Sequence, residues 1–359
     1  MAEKVPLIIT NQEALNAKTS NCQKKNLKKK FFKSILIYLL LYVINIAPII
    51  HRKNNYVYID DYPTSNNPQK KQKKSTNTKI ALCTMGKKEN LYAKEFIEYY
   101  INLGVDHLYI YDDNDPNTEK ISDIIEPKYQ SQVTTILAKE NKIKNQADAF
   151  TSCYKTNYKN YDWFIMIDMD EFLYLVNNTL EGYLTDNIFN KCDFIKINWV
   201  ISRDNDLVYY DPRPLFERFK PPYIKFKFIK TIIRGNISDL KYWVHSPYIS
   251  PTRNVTCNNK GDIVIRKEIN FEGIEPINVD KAFFIHFRFK STEELINKRK
   301  RGFGDWLGDF LAFTLQAHIN DYFEQNKITL EKIEYIEKEL NTYMWKLRIQ
   351  YYFQKLFFI

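Results

Sequence analysis

Glycine is scarce, nine in 359 residues, and none of the nine falls in a GxGxxG or GxxxxGK[ST] loop. Such loops bring backbone N–H groups onto phosphate at the start of a helix, so their absence argues against a nicotinamide or flavin enzyme and against a P-loop phosphotransferase. The cysteines Cys22, Cys83, Cys153, Cys192 and Cys257 form no CxxC pair and no zinc-ligand spacing, which permits disulfides without requiring them. Acid is the minority charge, 43 Asp and Glu against 53 Lys and Arg, for a net +10. That excess does not describe a nucleic-acid groove, because lysines crowd into two low-complexity runs, Lys24 to Lys33 and Lys70 to Lys74, outside the expected folded body.

Apolar residues are plentiful, at 44% of the chain with 15% aromatic, so a sizeable α/β domain with appendages is expected. Residues 1–30 read as a basic cytoplasmic tail. Residues 31–50 are almost continuously apolar, interrupted mainly by Lys33 and Asn45, and just long enough for a bilayer core of about 30 Å. Lysines before this run outweigh Arg52 and Lys53 after it, which predicts a single-pass signal-anchor helix of type II orientation. Residues 51–78, with Pro63, Pro68 and no periodicity, read as a flexible stem. Asn177-Asn178-Thr179, Asn236-Ile237-Ser238 and Asn254-Val255-Thr256 are glycan acceptor patterns, usable only in a secretory compartment.

From Lys79 the pattern alternates. Ile80 to Thr84 reads as a strand. A helix is expected over Leu91–Leu103, with Leu91, Phe96, Ile97, Tyr100, Ile101 and Leu103 on one broad face and Gly104 ending it. A strand within Val105 to Tyr111, another helix, a strand near Val133 to Leu137, a helix near Ala147 to Tyr158 and the strand Trp163 to Ile167 complete a βαβαβαβ series. That order predicts a mostly parallel sheet flanked by helices, with ligands beyond its carboxyl edge. Later strand-like runs are Phe194 to Val200, Phe226 to Ile233, Lys241 to Val244, Ile263 to Arg266 and Phe283 to Phe289. Ile328 to Ile359 reads as a helical tail with an apolar stripe through Ile333, Ile336, Leu340, Tyr343 and Leu347.

The most informative run is Trp163-Phe164-Ile165-Met166-Ile167-Asp168-Met169-Asp170-Glu171-Phe172, an apolar strand that meets three carboxylates at its carboxyl end. Strand periodicity would aim Asp168 and Asp170 the same way, a hard-cation site suited to Mn²⁺ or Mg²⁺ beside a diphosphate. A solvated acid cluster capping the next element is the competing reading. Asp112, ending the second strand, is placed to accept from a uracil or ribose, or to form a turn with Asp113, Asn114 and Asp115.

Several blocks together resemble glycosyltransferase family 92 and related family-2-like enzymes of GT-A fold. Met85 to Phe96 looks like the family's KNE block and following helix, and Leu103 to Asp112 like its second-strand block. Asp168 to Phe172 resembles its metal motif, Pro214 to Phe219 a later segment, and His286, Phe289 to Leu295 and Lys298 to Gly302 its histidine, KS and RG signature. Lys88 departs from that pattern, where asparagine is often found. The resemblance covers about residues 79–304, leaving 305–359 as a C-terminal helical extension.

It implies a metal-dependent transferase moving a hexose, galactose first, from a nucleotide-sugar donor, UDP-linked, to a glycan, glycoprotein or glycolipid acceptor with inversion, in a Golgi-like membrane. Asp168, Asp170 and His286 would be the metal ligands. Glu89, Asn90, Asp112, Asp168 and His245 would face the donor, with Lys87 and Arg234 further candidates for phosphate. Glu217, flanked by aromatics in Phe216-Glu217-Arg218-Phe219, is the candidate base that deprotonates the acceptor; an ion pair with Arg218 or Lys220 is its alternative. Against all this stands a catalytically silent glycan-binding scaffold of the same fold, and His286 and His245 as ordinary buried histidines.

Overall fold

The computed structural model describes residues 57–59, 75–242, 245–248, 255–264, 273–301, 319–341 and 344–357. The expected tail, the 31–50 anchor and most of the stem lie outside them. Among the described residues, no helix is long and apolar enough to cross a membrane.

In chain order the strands are β1 (Tyr58–Ile59), β2 (Ile80–Gly86), β3 (His107–Asp112), β4 (Val133–Leu137), β5 (Trp163–Met166), β6 (Glu171–Leu175), β7 (Phe194–Ile201), β8 (Tyr223–Arg234), β9 (Lys241–Tyr242), β10 (Pro247–Tyr248), β11 (Thr256–Cys257) and β12 (Ala282–His286). All but the β9–β10 hairpin join one sheet, ordered β4-β3-β2-β5-β8-β7-β12-β6, with β1 added to β8 and β11 to β7. From β4 to β5 the pairing is parallel, as the alternating pattern predicts. β8 runs antiparallel between β5 and β7, and β6 runs antiparallel to β12, so the sheet is mixed. This curled α/β sheet with flanking helices is consistent with a GT-A-like fold. Its parallel half places the ends of β3 and β5, and therefore Asp112 and the 168–170 segment, at one edge.

The helices are α1 (Asn90–Leu103), α2 (Gln146–Asn157), α3 (Leu180–Leu184), α4 (Leu215–Arg218), α5 (Thr292–Lys300), α6 (Leu330–Leu340) and α7 (Trp345–Phe357). α1 ends as expected: Gly104 takes φ 107° and its N–H meets the carbonyls of Ile101 and Tyr100. Its buried face drops Leu91 from the expected set and adds Tyr92, Ala93 and Tyr99. Tyr92 is buried and Leu91 is 66% exposed, because Tyr92 donates to a buried carboxylate, Glu294 Oε1, at 2.6 Å. The helix expected between Pro116 and Val133 is two 3-10 turns, Ile121–Ile124 and Pro127–Gln132. Pro127 lacks an N–H and would clash with the preceding helical turn, so one continuous α-helix cannot form there. Ile263 makes only an isolated bridge to Cys257, and residues 265–270 lie outside the described set.

The expected stem is pinned where it is described. Tyr58 and Ile59 pair with Ile224 and Tyr223, and the Ser75 and Thr76 backbone amides donate to Glu181. Disulfides Cys83–Cys153 and Cys192–Cys257 tie β2 to α2 and the turn before β7 to β11.

The C-terminal helices are not a discrete tail. Ile333, Ile336, Met344 and Leu347 share a core with Phe289, Leu295 and Tyr322, and Asn341 at φ 47° breaks the stripe into α6 and α7. Beneath this core Lys332 Nζ meets Asp204 Oδ2 at 2.5 Å, both fully buried. Tyr322 donates to the same carboxylate, and Asp204 N–H donates to Asn326 Oδ1 at 2.8 Å. Lys332→Met would strand that carboxylate without its cation, so urea unfolding should show a loss of about 3–5 kcal/mol, partly recovered by adding Asp204→Asn. Equal stability of wild type and Lys332→Met would contradict the pairing.

Candidate active site

β5 stops at Met166, two residues before the first acid. Asp168 to Asp170 form a tight turn closed by Glu171 N–H on the Asp168 carbonyl at 3.1 Å, and β6 begins at Glu171. Strand periodicity therefore does not reach the two aspartates, and they turn to different partners. β12 fixes the far side of the turn. His286 is paired in register with Glu171, and Phe287 N–H donates to the Asp170 carbonyl at 2.9 Å.

Asp168 accepts from Gln146 Nε2, at the start of α2, and lies 3.1 Å from Lys230 Nζ on β8. Burial is the largest influence and raises its carboxyl, but Lys230, foremost among several opposing influences, brings the balance below the usual carboxylate value. Lys230 is fully buried and also stands 3.7 Å from Glu171 Oε1. Asp170, 3% exposed, is paired with Lys298 of α5, lies 3.9 Å from Lys290 Nζ, and has His286 Nε2 at 3.5 Å from Oδ1. Burial opposes its ionisation, yet Lys298, His286 and Lys290 together hold it well below the ordinary range. Glu171 shows the reverse: burial lifts it well above the ordinary value in spite of Lys230.

Trp199 on β7 packs edge-on against His286 at 4.5 Å and His245 at 5.3 Å between ring centres. Burial lowers both histidines, His245 to about 3, so both are neutral imidazoles. Glu171 Oε1, His286 Nδ1, His245 Nδ1 and Trp199 Nε1 are buried without a hydrogen-bond partner. Buried polar atoms are ordinarily satisfied, which makes this cluster a candidate for meeting a polar ligand. Two carboxylates beside a neutral imidazole are a donor set that suits Mn²⁺ or Mg²⁺. Among the described residues, no three His, Cys, Asp or Glu side chains form a ready metal-holding group. Asp168 and Asp170 are engaged by separate lysines instead.

The other expected residues divide. Glu89 is buried and held by Arg301, with Oε2 unpartnered. Asn90 donates to Glu119 Oε2 at 2.9 Å and accepts from Asn114 at 2.7 Å. Asp112 spends both oxygens on backbone amides, Asn114 at 2.9 Å and Ile121 at 2.7 Å, the turn-forming bonds. Lys87 pairs with Asp113 at 3.5 Å, and Arg234 donates to the carbonyls of Cys192 and Phe189. Glu217 is exposed on α4. Its neighbour Arg218 turns inward to Glu294 at 2.8 Å, so Arg218 makes a buried pair in place of the alternative one with Glu217. Lys230 and Gln146 were missed by sequence reasoning; a lysine inside the apolar run Ile229 to Ile233 was the available signal for the first.

Residues 77–199 match the family model of glycosyltransferase family 92. The match runs from the start of the sheet into β7, so it includes the Asp168–Asp170 turn and ends before Lys230, His286 and α5. That match supports a transferase activity in general. No curated protein matches the chain.

The raised Glu171 carboxyl has a sign that can be checked. The native state keeps a proton that the unfolded chain gives up, so this contribution to stability is complete below the unfolded value of about 4.3 and is lost as pH rises through the folded one. In metal-free protein, the fall in Tm as pH rises above the unfolded value should be shallower in Glu171→Gln than in wild type. Parallel profiles would mean that Glu171 is buried ionised.

Proposed function

We propose that this chain is a membrane-anchored, divalent-metal-dependent hexosyltransferase that takes a sugar from a uridine diphosphate donor, galactose first among hexoses, and places it on a glycan with inversion. The observation that carries the reading is the convergence of the Asp168–Asp170 turn, His286 and the unpartnered polar atoms of Glu171, His245 and Trp199 at the carboxyl edge of the sheet.

In this reading Asp168, Asp170 and His286 hold Mn²⁺ or Mg²⁺, which when bound supplies positive charge opposite the departing diphosphate. Gln146 and Lys230 keep Asp168 oriented and ionised. Glu89, Asn90, Asp112 and His245 border the donor pocket, with Asp112 acting through the backbone turn that it holds. Glu217 accepts the proton of the acceptor hydroxyl as its oxygen attacks the anomeric carbon, and the electrons of the breaking C–O bond leave with the nucleoside diphosphate. An exposed carboxylate on α4 suits a group that must meet an incoming acceptor.

A secretory compartment is supported by the two disulfides, since oxidising compartments preserve them, and by Asn177 and Asn236, both exposed in glycan acceptor patterns. Protease added to sealed membranes should spare residues 79–359; digestion of that region in intact vesicles would reject the type II orientation.

Activity is tested by incubating purified protein with UDP-hexoses, Mn²⁺ and glycan acceptors. Wild type should transfer one sugar preferentially, Asp170→Asn should lower kcat by about 10²–10³-fold, and Glu217→Gln should lower kcat by about 10²–10⁴-fold with little change in donor KM. Sugar-nucleotide turnover no greater in wild type than in Asp170→Asn would leave the silent scaffold as the better account.

A further inference from the structure

Three lysines surround the acid turn, and they are not equivalent. Lys230 is fully buried on β8, between Asp168 and Glu171. Lys290 is 3% exposed, its backbone is in the left-handed region at φ 57°, and its ammonium lies 4.1 Å over the Tyr92 ring. Neither can withdraw without leaving a charge buried and unpaired, which is strongly unfavourable. Lys298 differs. It sits in the last turn of α5 with 23% of its side chain exposed, and it pairs with Asp170 through Oδ2. A long side chain at the solvent boundary can move its ammonium into water and leave the stem where it is.

Asp170 is thus engaged on both oxygens, by Lys298 at Oδ2 and by His286 near Oδ1. A divalent cation held by Asp170 would meet the Lys298 ammonium as a like charge at close range. We infer that Lys298 is a charge placeholder: it neutralises Asp170 while no divalent cation is present, and cation and ammonium compete for that carboxylate. The inference rests on the metal-dependent reading above and adds to it a built-in threshold for metal binding. The placeholder keeps a buried carboxylate from standing uncompensated and, once displaced, leaves an ammonium available to an anion at the same mouth.

The test measures Mn²⁺ binding to the purified full-length protein, without donor, from the electron paramagnetic resonance signal of the free ion. Lys298→Ala should bind Mn²⁺ about tenfold more tightly than wild type, the value of one charge-assisted hydrogen bond. Lys298→Arg, which keeps the charge, should stay near wild type, and Asp170→Asn should lose the site. Lys298→Gln serves as a second charge-removing variant if Lys298→Ala does not give a wild-type melting curve. Equal or weaker Mn²⁺ binding by a folded, charge-removed variant, with binding still abolished by Asp170→Asn, overturns the placeholder and spares the metal centre. No Mn²⁺ binding by either wild type or the Lys298 variants overturns the metal centre and the placeholder with it.

Discussion

Carboxylates taken out of water must be paired, and the acid turn at the sheet edge imposes that requirement on everything around it. Asp170 and Glu171 are 3% and 0% exposed, and Asp168 beside them is half-buried. Their compensation comes from elements far away in sequence: Lys230 from β8, His286 from β12, and Lys290 and Lys298 from the segment through α5. Antiparallel insertion of β8 beside β5 and pairing of β12 with β6 are the two departures from a parallel sheet, and each delivers a residue to the turn. The mixed topology is therefore what makes the acid cluster tolerable.

α5 is the second point of convergence. Ser291 and Glu294 form its capping box, and the same Glu294 carboxylate accepts from Arg218 at 2.8 Å and Tyr92 at 2.6 Å, both buried. Arg301 at its C-terminal end holds Glu89 and the carbonyls of Lys87 and Lys88. Thr292 bonds Tyr322 at 2.9 Å, which leads to Asp204 and Lys332. The helix that carries Lys298 is thus fixed by α1, α4 and the C-terminal core, and the Lys298 side chain keeps a solvent boundary that Lys230 and Lys290 lack.

Much of this was legible in the chain. The strands from β2 to β5 and the helices α1 and α2 follow from apolar periodicity, and the apolar run into Asp168 marked the carboxyl edge of the parallel half. What periodicity could not carry was partnership. Leu91 fits an apolar face but yields to Tyr92, whose hydroxyl has a buried acceptor. Pro127 divides what hydrophobicity alone joins. Asp168 and Asp170 sit in a turn, where strand alternation no longer governs direction. Lys230 and Gln146 reach Asp168 only through β5–β8 pairing and the docking of α2, and neither is encoded in local spacing.

The central claim is that Asp168, Asp170 and His286 bound the place where a divalent cation and a nucleoside diphosphate meet. Anomalous scattering from crystals grown with Mn²⁺ and UDP tests it most directly. The account predicts one strong manganese peak within bonding distance of Asp170, bordered by Asp168 or His286, with the diphosphate against it. A manganese peak elsewhere, with UDP bound away from the 168–170 turn, would contradict it.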